Sequence, residues 1–220
     1  MVIRSDDDGV TWRGILEVHE TIEEGQAGCR EGVGRGVLID FVDGQRGWVP
    51  TNLGRSLYRT TDGGVTWQFL PQEALGSVDF TTPRDGWGVG RVAPGVKAIV
   101  ATTDGGQTWR QRTPSPATPT MSFSRPVFAD RATGWVSWSD YPAYGIFHTD
   151  DGGRTWNTEF ELPDGPSVTM VGMDRVTNSA WASTNRGALM RRRIGPPPTT
   201  VRAHGKATRT WGQVKRRRGR

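Results

Sequence analysis

Carboxylates, histidines and a lone thiol are the groups in this chain whose types could carry chemistry. Asp6, Asp7 and Asp8 run directly into Gly9, and Asp62, Asp104 and Asp151 each stand before a Gly-Gly pair. Aspartates ahead of a glycine suggest a calcium loop, which needs oxygen ligands at alternate positions, a central Gly and a distal Glu on a helical frame. The first run fits that description superficially. The other three offer one or two carboxylates each, so a structural turn is the favoured reading. His19, His148 and His204 are far apart and make no ligand spacing. Cys29 has no flanking motif of a thiol enzyme. GVGRGV from Gly32 lacks the Lys-Ser/Thr ending of a phosphate loop. No catalytic set is nominated, and no metal or cofactor is expected.

The aspartates belong to an eight-residue phrase that occurs four times. It reads SDDDGVTW at Ser5 to Trp12, TTDGGVTW at Thr60 to Trp67, TTDGGQTW at Thr102 to Trp109 and TDDGGRTW at Thr149 to Trp156. Five of its positions are fixed: Ser/Thr, Asp, Gly, Thr and Trp. The fixed residues are Asp7, Gly9, Thr11 and Trp12, then Asp62, Gly64, Thr66 and Trp67, then Asp104, Gly106, Thr108 and Trp109, then Asp151, Gly153, Thr155 and Trp156. An Asp carboxylate can accept backbone N–H groups in a tight turn. Gly permits positive φ. Thr can bond back across the turn, and Trp offers a large apolar face to a neighbouring sheet. The phrase therefore reads as a self-contained hairpin turn.

A second signature runs beside it. Gly-Trp followed by an apolar residue occurs at Gly47-Trp48, Gly86-Trp87 and Gly134-Trp135, with Trp181 as a looser fourth. From each Gly-Trp tryptophan to the phrase's Trp the step is 19, 22 and 21 residues. Eight of the ten tryptophans fall on these two registers, which marks them as packing residues. The steps between closing tryptophans are 55, 42 and 47 residues, a period that suits one propeller blade of four short strands.

The elements expected are a half-blade over 1–20, blades over 37–70, 76–112 and 126–160, and a partial blade over 168–190. Residues 21–36 read as a long connecting loop and 113–125, rich in Pro, Ser and Thr, as another. The related fragments DRATGWVS from Asp130 and DRVTNSAWAS from Asp174 mark a shared strand–turn–strand. A fifth phrase is due near position 201 and is missing, so residues 191–220 read as a basic, disordered tail. The break points to a truncated or frame-disturbed end.

The phrase paired with Gly-Trp resembles the Asp-box, or BNR, repeat, and most of all the photosystem II stability and assembly factor-like proteins. Sialidase- and sortilin-type propellers share the box. The resemblance covers nearly all of residues 1–190. It implies an all-β propeller of four-stranded antiparallel blades, about four here, incomplete or part of a larger propeller. Closure of a small ring, with Met1 to Val18 completing the sheet begun by Val168 to Ser183, is the other possibility. It also implies a non-catalytic interaction scaffold with a protein partner and favours an extracytoplasmic location. The alternative is a sialidase-like hydrolase or glycan-binding propeller. Sialidase chemistry needs an arginine cluster, a Tyr nucleophile with a Glu partner and an acid/base carboxylate. Only Tyr58, Tyr141 and Tyr144 are present, and Glu159 and Glu161 read as exposed edge charge. Arg84, Arg91, Arg125 and Tyr141 to Tyr144 stand as candidate surface positions for a partner.

Composition agrees with short strands and tight turns: 34% hydrophobic residues, 30 Gly and 14 Pro in 220 residues. No apolar run is long enough for a membrane-spanning helix, and no signal peptide precedes the first phrase at Ser5. The net charge of +5 is divided unevenly. Residues 1–185 carry 16 Lys and Arg against 23 Asp and Glu, net −7, while 186–220 carry 12 cations and no acid, net +12. Such a tail can attract nucleic acid or anionic membrane. It has no fold of its own and little aromatic interleaving, so both partners are disfavoured.

Overall fold

Strands that begin at Gly-Trp are buried, because each lies in the middle of its own sheet and faces a neighbouring blade. The computed structural model describes residues 2–5, 7, 9–16, 38–50, 56–71, 75–93, 96–115, 117–174, 177–194 and 209–210. A hairpin of β1 (Val2–Arg4) and β2 (Arg13–Leu16) turns through the first box. Blade I follows, with β3 (Asp40–Phe41), β4 (Gly47–Pro50), β5 (Ser56–Thr60) and β6 (Gln68–Pro71) paired in that order. Blade II repeats the plan with β7 (Leu75–Phe80), β8 (Gly86–Ala93), β9 (Val96–Thr102) and β10 (Arg110–Gln111). Blade III has a split first strand, β11 (Ser122–Phe123) and β12 (Val127–Phe128), both on β13 (Gly134–Asp140). It continues through β14 (Ala143–Thr149) and β15 (Asn157–Leu162). Blade IV comprises β16 (Val168–Asp174), β17 (Ser179–Thr184), β18 (Leu189–Arg193) and β19 (Arg209–Thr210). The sheets are the blades of a β-propeller.

Three apolar clusters join the blades in sequence. Trp48, Leu57, Leu70 and Phe80 lie between I and II. Val89, Ile99, Val136 and Trp138 lie between II and III. Trp135, Ile146, Ala182 and Met190 lie between III and IV. Outer strands face water: in β6 only Leu70 is buried, the alternation of a one-sided strand.

Strand direction sorts the connections into two rims. Turns between first and second strands share one rim with the boxes, which join third and fourth strands. An Asp builds these turns by accepting two backbone N–H groups, Asp43 from Gln45 and Arg46 and Asp130 from Ala132 and Thr133, each at 2.8 Å. The box is then stapled to the turn beside it. Gly63 donates to the Gln45 carbonyl, Gly105 to Arg84 and Gly152 to Ala132, at 2.8–2.9 Å. Connections between second and third strands occupy the opposite rim.

The structure departs from the sequence expectations in several places. The 113–125 segment contains β11, which pairs with β13. β18 runs three residues past Met190 into the expected tail, because Arg191 and Arg192 find partners in the sheet. β19 is parallel to β18, since no box follows β18 to reverse the chain. The N-terminal hairpin is a sheet of its own and does not complete blade IV. The described first strand of blade I begins at Asp40, and the expected start of that blade at 37 lies outside the described residues. The 21–36 loop and most of 195–220 lie outside the described residues.

Candidate functional site

Each box is a closed hydrogen-bond cycle. In the second, the Thr60 hydroxyl donates to Asp62 at 2.8 Å and accepts the Gly64 N–H at 2.8 Å. The Asp62 carboxylate accepts the Thr66 N–H at 2.9 Å and the Thr66 hydroxyl at 2.5 Å. The third box repeats this with Thr102, Asp104, Gly106 and Thr108, and the fourth with Thr149, Asp151, Gly153 and Thr155. The first does so with Ser5, Asp7, Gly9 and Thr11. Gly64, Gly106 and Gly153 have φ between 82° and 88°, where a side chain would be strained. The donors hold the carboxyls far below the usual range. Asp62 falls to about 2, led by the Thr66 hydroxyl and N–H. In Asp104 and Asp151 burial acts in the opposite direction, and the hydrogen bonds outweigh it to the same value of about 2. The oxygens that a cation would need are therefore already engaged. Among the described residues no group of three His, Cys, Asp or Glu is placed to hold a metal.

The Gly-Trp tryptophans reach across to the next blade. Trp48 Nε1 donates to the Gly105 carbonyl at 3.0 Å, and Trp87 Nε1 to the Gly152 carbonyl at 2.9 Å. A box thus turns its own chain and offers an acceptor to the blade before it. The rings stack on a phenylalanine of the next blade, Trp48 on Phe80 and Trp87 on Phe128, with centroids 3.7 Å apart and planes within 8°. The box tryptophans meet the same phenylalanines edge-on: Trp109 on Phe80 at 6.0 Å and Trp156 on Phe128 at 6.2 Å.

Sequence reasoning missed the first-strand partners of this lock. Phe41, Phe80 and Phe128 pair with Gly47, Gly86 and Gly134, six residues on in each blade. That spacing is the signal that could have found them. Each glycine lies under its phenylalanine ring, and a Cβ on Gly86 would fall 2.5 Å from Phe80. Beside them, Asp40 accepts the Phe80 N–H at 2.5 Å and Asp79 the Phe128 N–H at 2.7 Å, again one blade to the next. Arg125 joins both acids, 3.1 Å from Asp40 and 3.3 Å from Asp79. It sits in the gap between β11 and β12, where Pro126 has no N–H to continue the ladder. The inner strands of three blades are thereby tied by one guanidinium.

The junction of III with IV is built differently. Trp135 Nε1 donates to the Glu159 carboxylate at 2.8 Å, and Arg192 Nε donates to the same carboxylate at 2.8 Å. His148 stacks on Trp135, its Nδ1 4.0 Å from Glu159 and its Nε2 3.3 Å from Asp150. Glu159 is consequently no exposed edge charge, while Glu161 is exposed. Trp181, the looser fourth, is half-covered, with Arg191 5.6 Å over its ring.

The candidate partner-binding residues do not form one patch. Arg84 lies on the box rim, its Nε 3.4 Å from the Thr103 carbonyl. Arg91 is exposed near the end of β8 and Tyr141 is exposed at the β13–β14 turn, both toward the opposite rim. Arg125 is on the inner strands. On the opposite rim Asp140 gathers Thr118 and Thr120 at 2.7 and 2.8 Å, which fixes the 113–121 connection over β13.

Residues 69–196 match the family described as Photosynthesis system II assembly factor YCF48. No curated protein matches the chain in sequence. A solved structure described as YCF48 bound to D1 peptide aligns at 24% identity with a TM-score of 0.50, covering 72% of this chain and 51% of that one. The GH74 xyloglucanase from Xanthomonas campestris aligns at 17% identity and 0.50, covering 66% of this chain and 25% of that one. A GH74 enzyme from Niastella koreensis aligns at 16% and 0.51, covering 70% and 27%. These likenesses show the propeller fold. The chain spans about half the length of the two YCF48 chains it matches, 51% and 53%.

Proposed function

The chain belongs to the family of the photosystem II assembly factor YCF48, and from that premise we propose a non-catalytic scaffold that holds an extended segment of a partner protein. The observation that carries this reading is where the polar atoms of the repeat go. The Asp62, Asp104 and Asp151 carboxylates, the Gly105 and Gly152 carbonyls and the Trp48 and Trp87 indoles are engaged within the blades or between them. They serve as frame, which leaves recognition to side chains that the frame presents. Arg91 and Tyr141, exposed toward the rim opposite the boxes, can supply a guanidinium for a carboxylate and an aromatic face for an apolar side chain. The solved relative described as bound to a D1 peptide supports a peptide as the ligand class.

The test is a titration of the intact chain against a fluorescent D1 peptide, read by anisotropy. Saturable binding is expected, weakened roughly tenfold by Arg91→Ala with Tyr141→Ala, the scale of one or two anchor residues. The likeness to GH74 enzymes makes glycoside hydrolysis the rival reading, so the same preparation is assayed on xyloglucan and on a fluorogenic sialoside. Turnover of either substrate, or absence of saturable peptide binding, overturns the scaffold.

A further inference from the structure

The blade-to-blade contact is directional. Each blade shows the next one a second-strand tryptophan and shows the previous one a first-strand phenylalanine. Inside the chain these halves meet twice, as Trp48 on Phe80 and Trp87 on Phe128. At the two ends of the described series each half has no counterpart among the described residues. Phe41 has the register of Phe80 and Phe128, opposite a glycine, and the same edge-on contact with its box tryptophan, Trp67, at 6.4 Å. Yet Phe41 is 38% exposed, against 1% for Phe80 and 0% for Phe128. Leu38 and Ile39 beside it are exposed as well. At the other end Trp181 has the register of Trp87 and Trp135, on the second strand and opposite the third. It is only half-covered, while Trp48, Trp87 and Trp135 are buried.

We propose that these two faces receive each other in a second copy of this chain. Blade IV of one copy packs on blade I of the other, Trp181 against Phe41, and the reciprocal contact closes a symmetric dimer. Two observations select a second copy as the occupant. The contact continues the interface already formed inside the chain. The two ends are of opposite charge: residues 1–36 hold eight acids against four cations, while 186–220 hold twelve cations and no acid. Head-to-tail contacts form closed rings when the rotation closes, and the propeller turn from blade to blade supplies that rotation.

The test is the mass of the full 220-residue chain in solution, by size-exclusion chromatography with light scattering over a range of concentrations. A particle of twice the chain mass is expected. Phe41→Asp and Trp181→Asp are each expected to raise the dimer dissociation constant by more than about tenfold, as loss of a central aromatic anchor does. Both should leave the far-ultraviolet spectrum unchanged. Leu38→Glu, at a more exposed position, gives the same direction of effect if either of the first two fails to fold. Moderate salt is expected to weaken the dimer, since oppositely charged ends steer it. A single-chain mass at every concentration overturns the proposal. So does a dimer that survives all three substitutions, or a series of ever larger oligomers.

Discussion

The Trp87 indole joins blade II to blade III through a neutral acceptor, beside the ion pairs of Arg125 with Asp79 and Arg131 with Asp85, whereas the Trp135 indole at the junction of III with IV meets a charged one. At the first junction the Trp87 indole meets a backbone carbonyl, Gly152, at the top of a box. At the second the Trp135 indole meets the Glu159 carboxylate, which Arg192 also holds. Blade IV has no box, so it offers no such carbonyl. The other members of the lock change with it. Met173 stands where Phe80 and Phe128 stand, and Ala180 where the glycine stands. Val127 replaces the Asp that would accept an N–H from the next blade. The two junctions together explain the glycine. It is small because a ring lies on it; where the ring becomes a flexible Met, a Cβ is accommodated. The four positions act as one device, kept whole or replaced whole.

The contrast between the junctions is most exposed to test at Trp87. Trp87→Ala removes a buried indole, its stack and its cross-blade hydrogen bond, and should cost about 3–5 kcal/mol in urea-induced unfolding. A loss below about 1 kcal/mol would show that the stack does not hold II to III. Next in size is the glycine. Gly86→Ala drives a Cβ into the Phe80 ring and should cost about 1–3 kcal/mol. The reciprocal Ala180→Gly, under Met173, should cost only about 0.5–1 kcal/mol, the backbone entropy of a strand glycine. Equal costs would mean that the phenylalanine ring does not dictate the glycine. Third, Glu159→Gln removes the pairing with Arg192 and leaves an acceptor for Trp135. Arg192 is half exposed, so the cost should be at most about 1 kcal/mol. The sharper readout is hydrogen exchange: molar salt should speed opening of β17 amides, and Glu159→Gln should remove that salt dependence.

The smallest effect is in acid. Asp62, Asp104 and Asp151 have folded values of about 2 against an ordinary 3.8. Their stabilisation is therefore complete above 3.8 and lost as pH falls toward about 2. Amides of blades I to III should lose protection across that window, and those of blade IV, with no box, should not through this cause. Asp104→Asn should flatten the dependence in blade II, and a profile unchanged by it would detach the box from acid stability.

Boxes and Gly-Trp strands are legible as text because their geometry admits few residues. Positive φ demands Gly64, and a closed Asp-Thr cycle demands Asp62 and Thr66. Phe80 and Asp79 escape notice because an apolar strand with one acid resembles any other, although the six-residue step to glycine is present in all three blades. Glu159 is misread for a different reason. Its role exists only because Trp135 lacks a box to bond, and that deficiency lies in another blade. The arginines at 191–193 look like tail by composition. In the sheet Arg191 lies over Trp181 and Arg192 pairs with Glu159, long side chains whose stems and planar groups can cover apolar surface. Which rim holds Arg84 and which Arg91 follows from strand direction, and composition carries no direction.

The box carbonyl that accepts a neighbour's indole also bears on how such a chain can lengthen. Every complete blade carries the donor for its successor and the acceptor for its predecessor within one contiguous run of residues. A tandem duplication of that run would deliver matched joints on both sides at once, with no second mutation needed to seat the new unit. A duplication starting from blade IV would deliver Trp181 but no box carbonyl to receive Trp135. Growth of the array by copying is open to blades I to III and closed to the fourth.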